Sequence, residues 1–173
     1  MRLQQMIIGM VLLLSFGVSQ AGETRHFFGI YSDDYSDSDL SGESFQYGYD
    51  FSNLLSLEVN YSTPDSLDAD VKVDSVSSLM VRFNQRYESI NTYFMVGVSQ
   101  FVTTDLIAPV EKESLEGVSY GFGLELYGSK NTAISFTWSK NEYDTDAGGK
   151  VDVDITRIGL IHHFDFGKSH GRY

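Results

Sequence analysis

The sequence predicts an all-β fold in which eight antiparallel strands close up-and-down into one barrel. Three observations carry this. Apolar and polar residues alternate with period two in successive runs, the mark of strands with two unlike faces. Beyond residue 21 there is no heptad or sustained 3.6-residue apolar pattern, and only two prolines, Pro64 and Pro109, occur in the chain. The connections between runs alternate between short and long, as they must when antiparallel strands place successive turns at opposite ends.

The first segment is not part of the barrel. Arg2 is followed by an apolar stretch from Met6 to about Val18, and Ser19-Gln20-Ala21 supplies small residues of the kind read at a cleavage site. A transmembrane helix needs about 20 apolar residues; this stretch is shorter and has polar flanks. Residues 1–21 are therefore expected to be a signal peptide and 22–173 the barrel domain, with no separate periplasmic domain.

The strands follow in order. The first runs from His26 to Ser32. In the second, Phe45, Tyr47, Tyr49 and Phe51 alternate with Ser44, Gln46, Gly48 and Asp50. The third sets Leu55, Leu57, Val59 and Tyr61 against Ser56, Glu58 and Asn60. The fourth and fifth span Val71 to Phe83 and Ile90 to Val102. The sixth alternates Val118, Tyr120, Phe122, Leu124 and Leu126 with Ser119, Gly121, Gly123 and Glu125. The last two run from Thr132 to Tyr143 and from Val153 to Phe166. Short connections fall around Ser52-Asn53, from Asn84 to Ser89 and over 128–131. Long ones run from Asp33 to Gly42, Thr63 to Asp70, Thr103 to Leu115 and Asp144 to Lys150. An even strand count closes without an exposed edge.

The character of the two faces argues for a membrane. One face is bulky and aromatic; the other carries Gly48, Gly97, Gly121, Gly123 and Gly159 among Ser, Asn and charged residues. Small residues suit the interior of a narrow barrel. Tyr47, Tyr61, Trp138 and Tyr143 fall near strand ends, where aromatic girdles meet the lipid–water boundary. The apolar face is thus expected outside, against lipid, and the polar face in the lumen. On that parity Glu58, Arg82, Glu125 and Arg157 all point inward, and we expect them to form a buried ion-pair network across the lumen.

Composition excludes other classes. With 12 basic and 24 acidic side chains the formal net charge is −12, and loss of Arg2 with the leader lowers it by one more. Nucleic-acid binding rests on Lys and Arg neutralising phosphates, so it is not expected. The absence of cysteine rules out disulfides and thiolate metal sites.

Several segments carry a family resemblance. The stretch 48–61, Gly-Tyr-Asp-Phe-Ser-Asn-Leu-Leu-Ser-Leu-Glu-Val-Asn-Tyr, is similar to the second hairpin of OmpA-like outer-membrane β-barrels. Residues 92–98, Thr-Tyr-Phe-Met-Val-Gly-Val, resemble the fifth strand of that family without its proline. Residues 158–166 resemble its closing strand, whose alternate apolar residues end on a terminal aromatic; Phe166 and Tyr173 are the two candidates here. The resemblance implies an eight-stranded barrel in the outer membrane of a Gram-negative cell. Its implied partners are outer-membrane lipid, lipopolysaccharide and the assembly machinery, and it implies no cofactor. The chain stops after the barrel, so the peptidoglycan-binding domain of longer relatives is expected to be absent.

Chemistry-bearing patterns are few. Gly117-Val118-Ser119-Tyr120-Gly121 matches the G-x-S-x-G nucleophile elbow, but that motif needs a strand-to-helix turn, and this one lies within strict alternation. His162 and His163 are adjacent on a strand and point to opposite faces, so they cannot jointly chelate a metal. Acid gathers on the long loops: Asp33, Asp34, Asp37, Asp39 and Glu43; Asp65, Asp68 and Asp70; Asp105, Glu111, Glu113 and Glu116; Glu142, Asp144 and Asp146. The segments 37–42 and 144–149 resemble the first half of a calcium loop but lack the closing bidentate glutamate of an EF-hand. Divalent cations at these loops are a candidate partner, against the plainer reading of a solvated acidic surface.

The expected function is a structural or surface-interaction role with a filled lumen, and no catalytic residue is assigned. A lipid A-modifying enzyme on the same fold would require Ser, His and an acid converging at one rim. A soluble lipocalin-like barrel would require the aromatics inside, around a cavity.

Overall fold

The structure, a computed structural model, describes residues 24–36, 40–64, 71–105, 112–145 and 148–164. The expected leader, Phe166, His170 and Tyr173 lie outside these residues, as do Asp37, Asp39, Asp65, Asp68, Asp70, Glu111 and Asp146. The two calcium-loop-like segments are therefore described only in part.

Eight strands are present: β1 (Arg25–Tyr35), β2 (Leu40–Asp50), β3 (Leu55–Pro64), β4 (Val71–Tyr87), β5 (Ile90–Asp105), β6 (Lys112–Tyr127), β7 (Thr132–Asp144) and β8 (Lys150–Phe164). Each pairs antiparallel with its sequence neighbour, and β1 pairs with β8 to close the barrel. Closure leaves no strand edge unpaired, which is the condition for a sheet to cross a membrane.

Each short turn has a local cause. Ser52 Oγ accepts the Leu54 and Leu55 N–H groups, both at 3.2 Å, and caps the β2–β3 turn. Ser129 Oγ accepts the Thr132 N–H at 3.1 Å in the β6–β7 turn. Between β4 and β5, pairing continues to Tyr87 opposite Ile90, so only Glu88 and Ser89 connect the strands. That turn places Glu88 at a φ of 50°, in the left-handed region that two-residue hairpins use.

The facing is that of a membrane barrel. Phe122 is 60% exposed and Leu160 52%, whereas Ser56 and Glu125 are wholly buried. Phe28, Ile30, Phe45, Tyr47, Val59 and Phe94 extend the outward apolar band around the barrel. A soluble barrel of lipocalin type needs the reverse, so this facing overturns that alternative.

Above the apolar band the strands run further than expected. Three of the four expected long loops lose residues to strand at both ends: β1 reaches Tyr35 and β2 starts at Leu40, while β5 ends at Asp105 and β6 starts at Lys112. Here the facing inverts. Tyr35, Leu40, Val73, Val76 and Ile155 form a buried apolar cluster inside the barrel, flanked by Phe101 and Val153. Asp34, Glu43, Glu116 and Asp152 are exposed outside it. With water rather than lipid outside, the ordinary preference for an apolar interior returns. A register shift in β4 between Val73 and Ser75 lets Val73 and Val76, three residues apart, both face inward. Where the facing inverts, the outward positions turn acidic, and the segments 33–35, 40–42 and 112–115 therefore read as loop in the sequence.

Candidate functional site

The lumen is the site to which the sequence assigned its inward charges. At its centre the Arg82 guanidinium, 1% exposed, lies between two carboxylates. Its Nη1 donates to Glu58 Oε2 at 3.2 Å, and its Nη2 donates to Glu125 Oε1. The remaining carboxylate capacity is also used. Gln46 Nε2 and Asn60 Nδ2 donate to Glu58 at 2.7 and 2.9 Å. Asn91 Nδ2 and the Tyr127 hydroxyl donate to Glu125 at 2.9 and 2.8 Å. Tyr31 extends the chain by donating to Gln46 Oε1 at 2.5 Å. This matters because two acids buried against one base hold their charge only if hydrogen bonds satisfy what the base cannot.

Two glycines make the central arrangement possible. A Cβ on Gly48 would stand 2.1 Å from the Phe27 ring, and one on Gly123 would stand 2.2 Å from the Tyr93 ring. Those two rings flank Arg82, whose Cζ lies 5.1 Å from the Phe27 centroid and 3.7 Å from that of Tyr93. A guanidinium sandwiched by aromatic faces gains cation–π attraction that strengthens with desolvation. The inward glycines thus do more than thin the lumen: they admit the rings that hold the arginine.

Of the four residues expected to converge, Glu58, Arg82 and Glu125 are brought together and Arg157 is not. Strand pairing explains the correction. Glu125 stands opposite Ser135, and Ser135 opposite Gly159, so Gly159 rather than Arg157 shares the level of Glu125. Arg157 sits one inward position higher, opposite Asp33 on β1, with Nε 3.5 Å from Asp33 Oδ2. Asp33 also accepts from Ser44 Oγ at 2.6 Å and Ser62 Oγ at 2.7 Å. It is a buried strand residue, not the loop acid the sequence suggested.

A third level lies toward the short turns. Asp50 accepts from Arg86 Nη2 at 2.7 Å and from Ser56 Oγ at 2.6 Å, and His163 Nδ1 lies 3.5 Å from it. Alternation already put Asp50 on the polar face of β2. Arg86 was missed because β4 was expected to end at Phe83.

The Ser56–Asp50–His163 group is not wired as a nucleophile. In the Ser56–Asp50–His163 group the carboxylate is the middle member, whereas serine activation needs the imidazole in the middle. Ser119 of the G-x-S-x-G match is buried in β6, 2.7 Å from Ser99 Oγ and donating to Asn141 Oδ1 at 2.6 Å. His162 Nδ1 faces the Thr132 hydroxyl at 2.8 Å on the outer surface. No cluster of three or more His, Cys, Asp or Glu fit to hold a metal occurs among the described residues.

The fold has close counterparts. The N-terminal β-barrel domain of OprF from Pseudomonas aeruginosa superposes with a TM-score of 0.64 at 17% identity, covering 84% of this chain and all of that one. Neisserial surface protein A gives a TM-score of 0.63 at 13% identity, covering 86% of this chain and all of its own. Ail, the attachment invasion locus protein of Yersinia pestis, gives 0.60 at 17% identity, covering 84% of this chain and all of its own. At such identities the likeness is one of fold. No curated protein matches the chain. The family model for the outer membrane protein β-barrel domain matches residues 12–164. With the family match, the closed antiparallel sheet, the lipid-type outer face and the charged lumen in agreement, the chain belongs to the outer membrane protein β-barrel domain family and resides in the outer membrane of a Gram-negative cell.

Proposed function

We propose that this barrel has a structural or surface-interaction role and is neither a pore nor an enzyme. The observation that carries the reading is the Glu58–Arg82–Glu125 group. It stands across the middle of the lumen, with the Asp33–Arg157 level and the apolar Tyr35–Ile155 cluster stacked above it. An eight-stranded barrel has an interior just wide enough for side chains to fill, and here charged and apolar layers fill it in turn. The non-catalytic part rests on the wiring of Ser56, Asp50 and His163, in which the acid separates serine from histidine.

The partners that fit are lipid, lipopolysaccharide and the assembly machinery that inserts such barrels. Ail has been solved with the heparin analogue sucrose octasulfate. This chain's long-loop side is acidic and repels polysulfates, so divalent cations there suit it better. Met1–Ala21 acts as the cleaved leader, and N-terminal sequencing of the membrane-inserted protein should begin at or near residue 22.

The test is conductance across a planar bilayer after reconstitution of the folded protein. Steady ionic current should be absent in the wild type. A stable single-channel step in most insertions would overturn the filled-lumen reading. Hydrolysis or transfer of lipid A acyl chains by purified barrel would overturn the non-catalytic one.

A further inference from the structure

The barrel is charge-polarised along its axis. Around the long-loop end the outward acids Asp34, Glu43, Glu116, Glu142, Asp152 and Asp154 predominate. At the short-turn end Arg25, Arg86 and Lys130 converge on a single cleft of about 380 Å³. Arg25 and Arg86 reach it from the mouth of the lumen, on the inward parity of Phe27 and Asn84; Lys130 comes from the β6–β7 turn.

Two of these three cations are not spent on the fold. Arg86 holds Asp50, but neither Arg25 nor Lys130 has an ion-pair partner among the described residues. Two cations without such a partner, Arg25 and Lys130, therefore line one cleft, and charge alone favours an anion that enters it. Glu88 is the one acid lining the cleft, and it offsets part of the charge.

The surroundings select the class of acceptor. Short turns of such barrels lie on the periplasmic side, at the level of the inner-leaflet headgroups. Ile90 forms one lip of the cleft and stands on the lipid-facing side beside its cross-strand partner Leu126, 41% and 40% exposed respectively. A ligand with an anionic head and apolar chains would seat its head among the cations and run its chains over Ile90 and Leu126. We propose that this cleft binds the phosphate headgroup of an anionic phospholipid from the inner leaflet.

Each cation near an anionic lipid surface contributes roughly a fivefold gain in binding. The test is native mass spectrometry of the folded full-length barrel from micelles doped with phosphatidylglycerol or phosphatidylcholine. Phosphatidylglycerol should be retained preferentially. Retention should fall roughly twenty-five-fold in the Arg25→Gln/Lys130→Gln double variant and rise in Glu88→Gln. Equal retention of the two lipids, or an unchanged double variant, would overturn the proposal. So would displacement of phosphatidylglycerol by millimolar inorganic phosphate, which would make a soluble anion the ligand. Boiling-dependent gel migration reports whether each variant is folded. If the double variant is not, Glu88→Gln decides alone: unchanged or reduced retention refutes the proposal.

Discussion

Replacing Arg82 by alanine should be among the most damaging single changes in the barrel. The substitution leaves Glu58 and Glu125, 1% and 0% exposed, facing each other without their shared cation. Removing one partner of a buried pair costs about 3–5 kcal/mol, mostly as the penalty of the charge left behind. Two features set the position within that range. Glu58 keeps Gln46 and Asn60 as donors, and Glu125 keeps Asn91 and Tyr127, which favours the lower end. The Phe27 and Tyr93 rings lose the guanidinium between them, which adds about 1 kcal/mol or more. The net expectation is a loss of about 4 kcal/mol. Urea unfolding of the protein in lipid vesicles, followed by tryptophan emission and by gel migration with and without boiling, measures it. Arg82→Met combined with Glu58→Gln and Glu125→Gln should recover most of the loss, because no charge is then stranded. An Arg82→Ala midpoint equal to wild type would refute the assignment of the lumen charges. A triple variant no better than Arg82→Ala would show that shape rather than charge is at stake.

Two further outcomes follow from the same geometry. Gly123→Ala should cost about 1–3 kcal/mol, because the added Cβ would stand 2.2 Å from the Tyr93 ring; the same urea transition reads it, and an unchanged midpoint would mean that the ring does not lie over the glycine. Trp138, the only tryptophan, lies on the outer surface against Phe122 with centroids 5.3 Å apart. Brominated acyl chains should therefore quench its emission strongly and aqueous acrylamide weakly, and the reverse order would place this face in water.

Period-two alternation was enough to determine strand count, strand type and the identity of each face, because the pleat sends neighbouring side chains to opposite sides. It assigned Glu58, Arg82, Glu125 and Arg157 to the lumen on parity alone. The same signal failed where its premise failed. Above the lipid band the outer face turns polar and the inner one apolar, and the β4 bulge breaks the parity between Val73 and Val76. It is the inversion of the faces that made the strand residues Asp33, Tyr35 and Leu40 look like loop. Parity also says nothing about height along the barrel axis. Only the closed pairing, through Glu125 opposite Ser135 and Ser135 opposite Gly159, set Arg157 a level away and gave it Asp33 as partner. The need for Phe27 and Tyr93 to lie over Gly48 and Gly123 is likewise a contact between distant segments. Which face a residue occupies is a local property of the strand, but which charge it meets depends on the stagger of all eight strands, and that exists only once the barrel has closed.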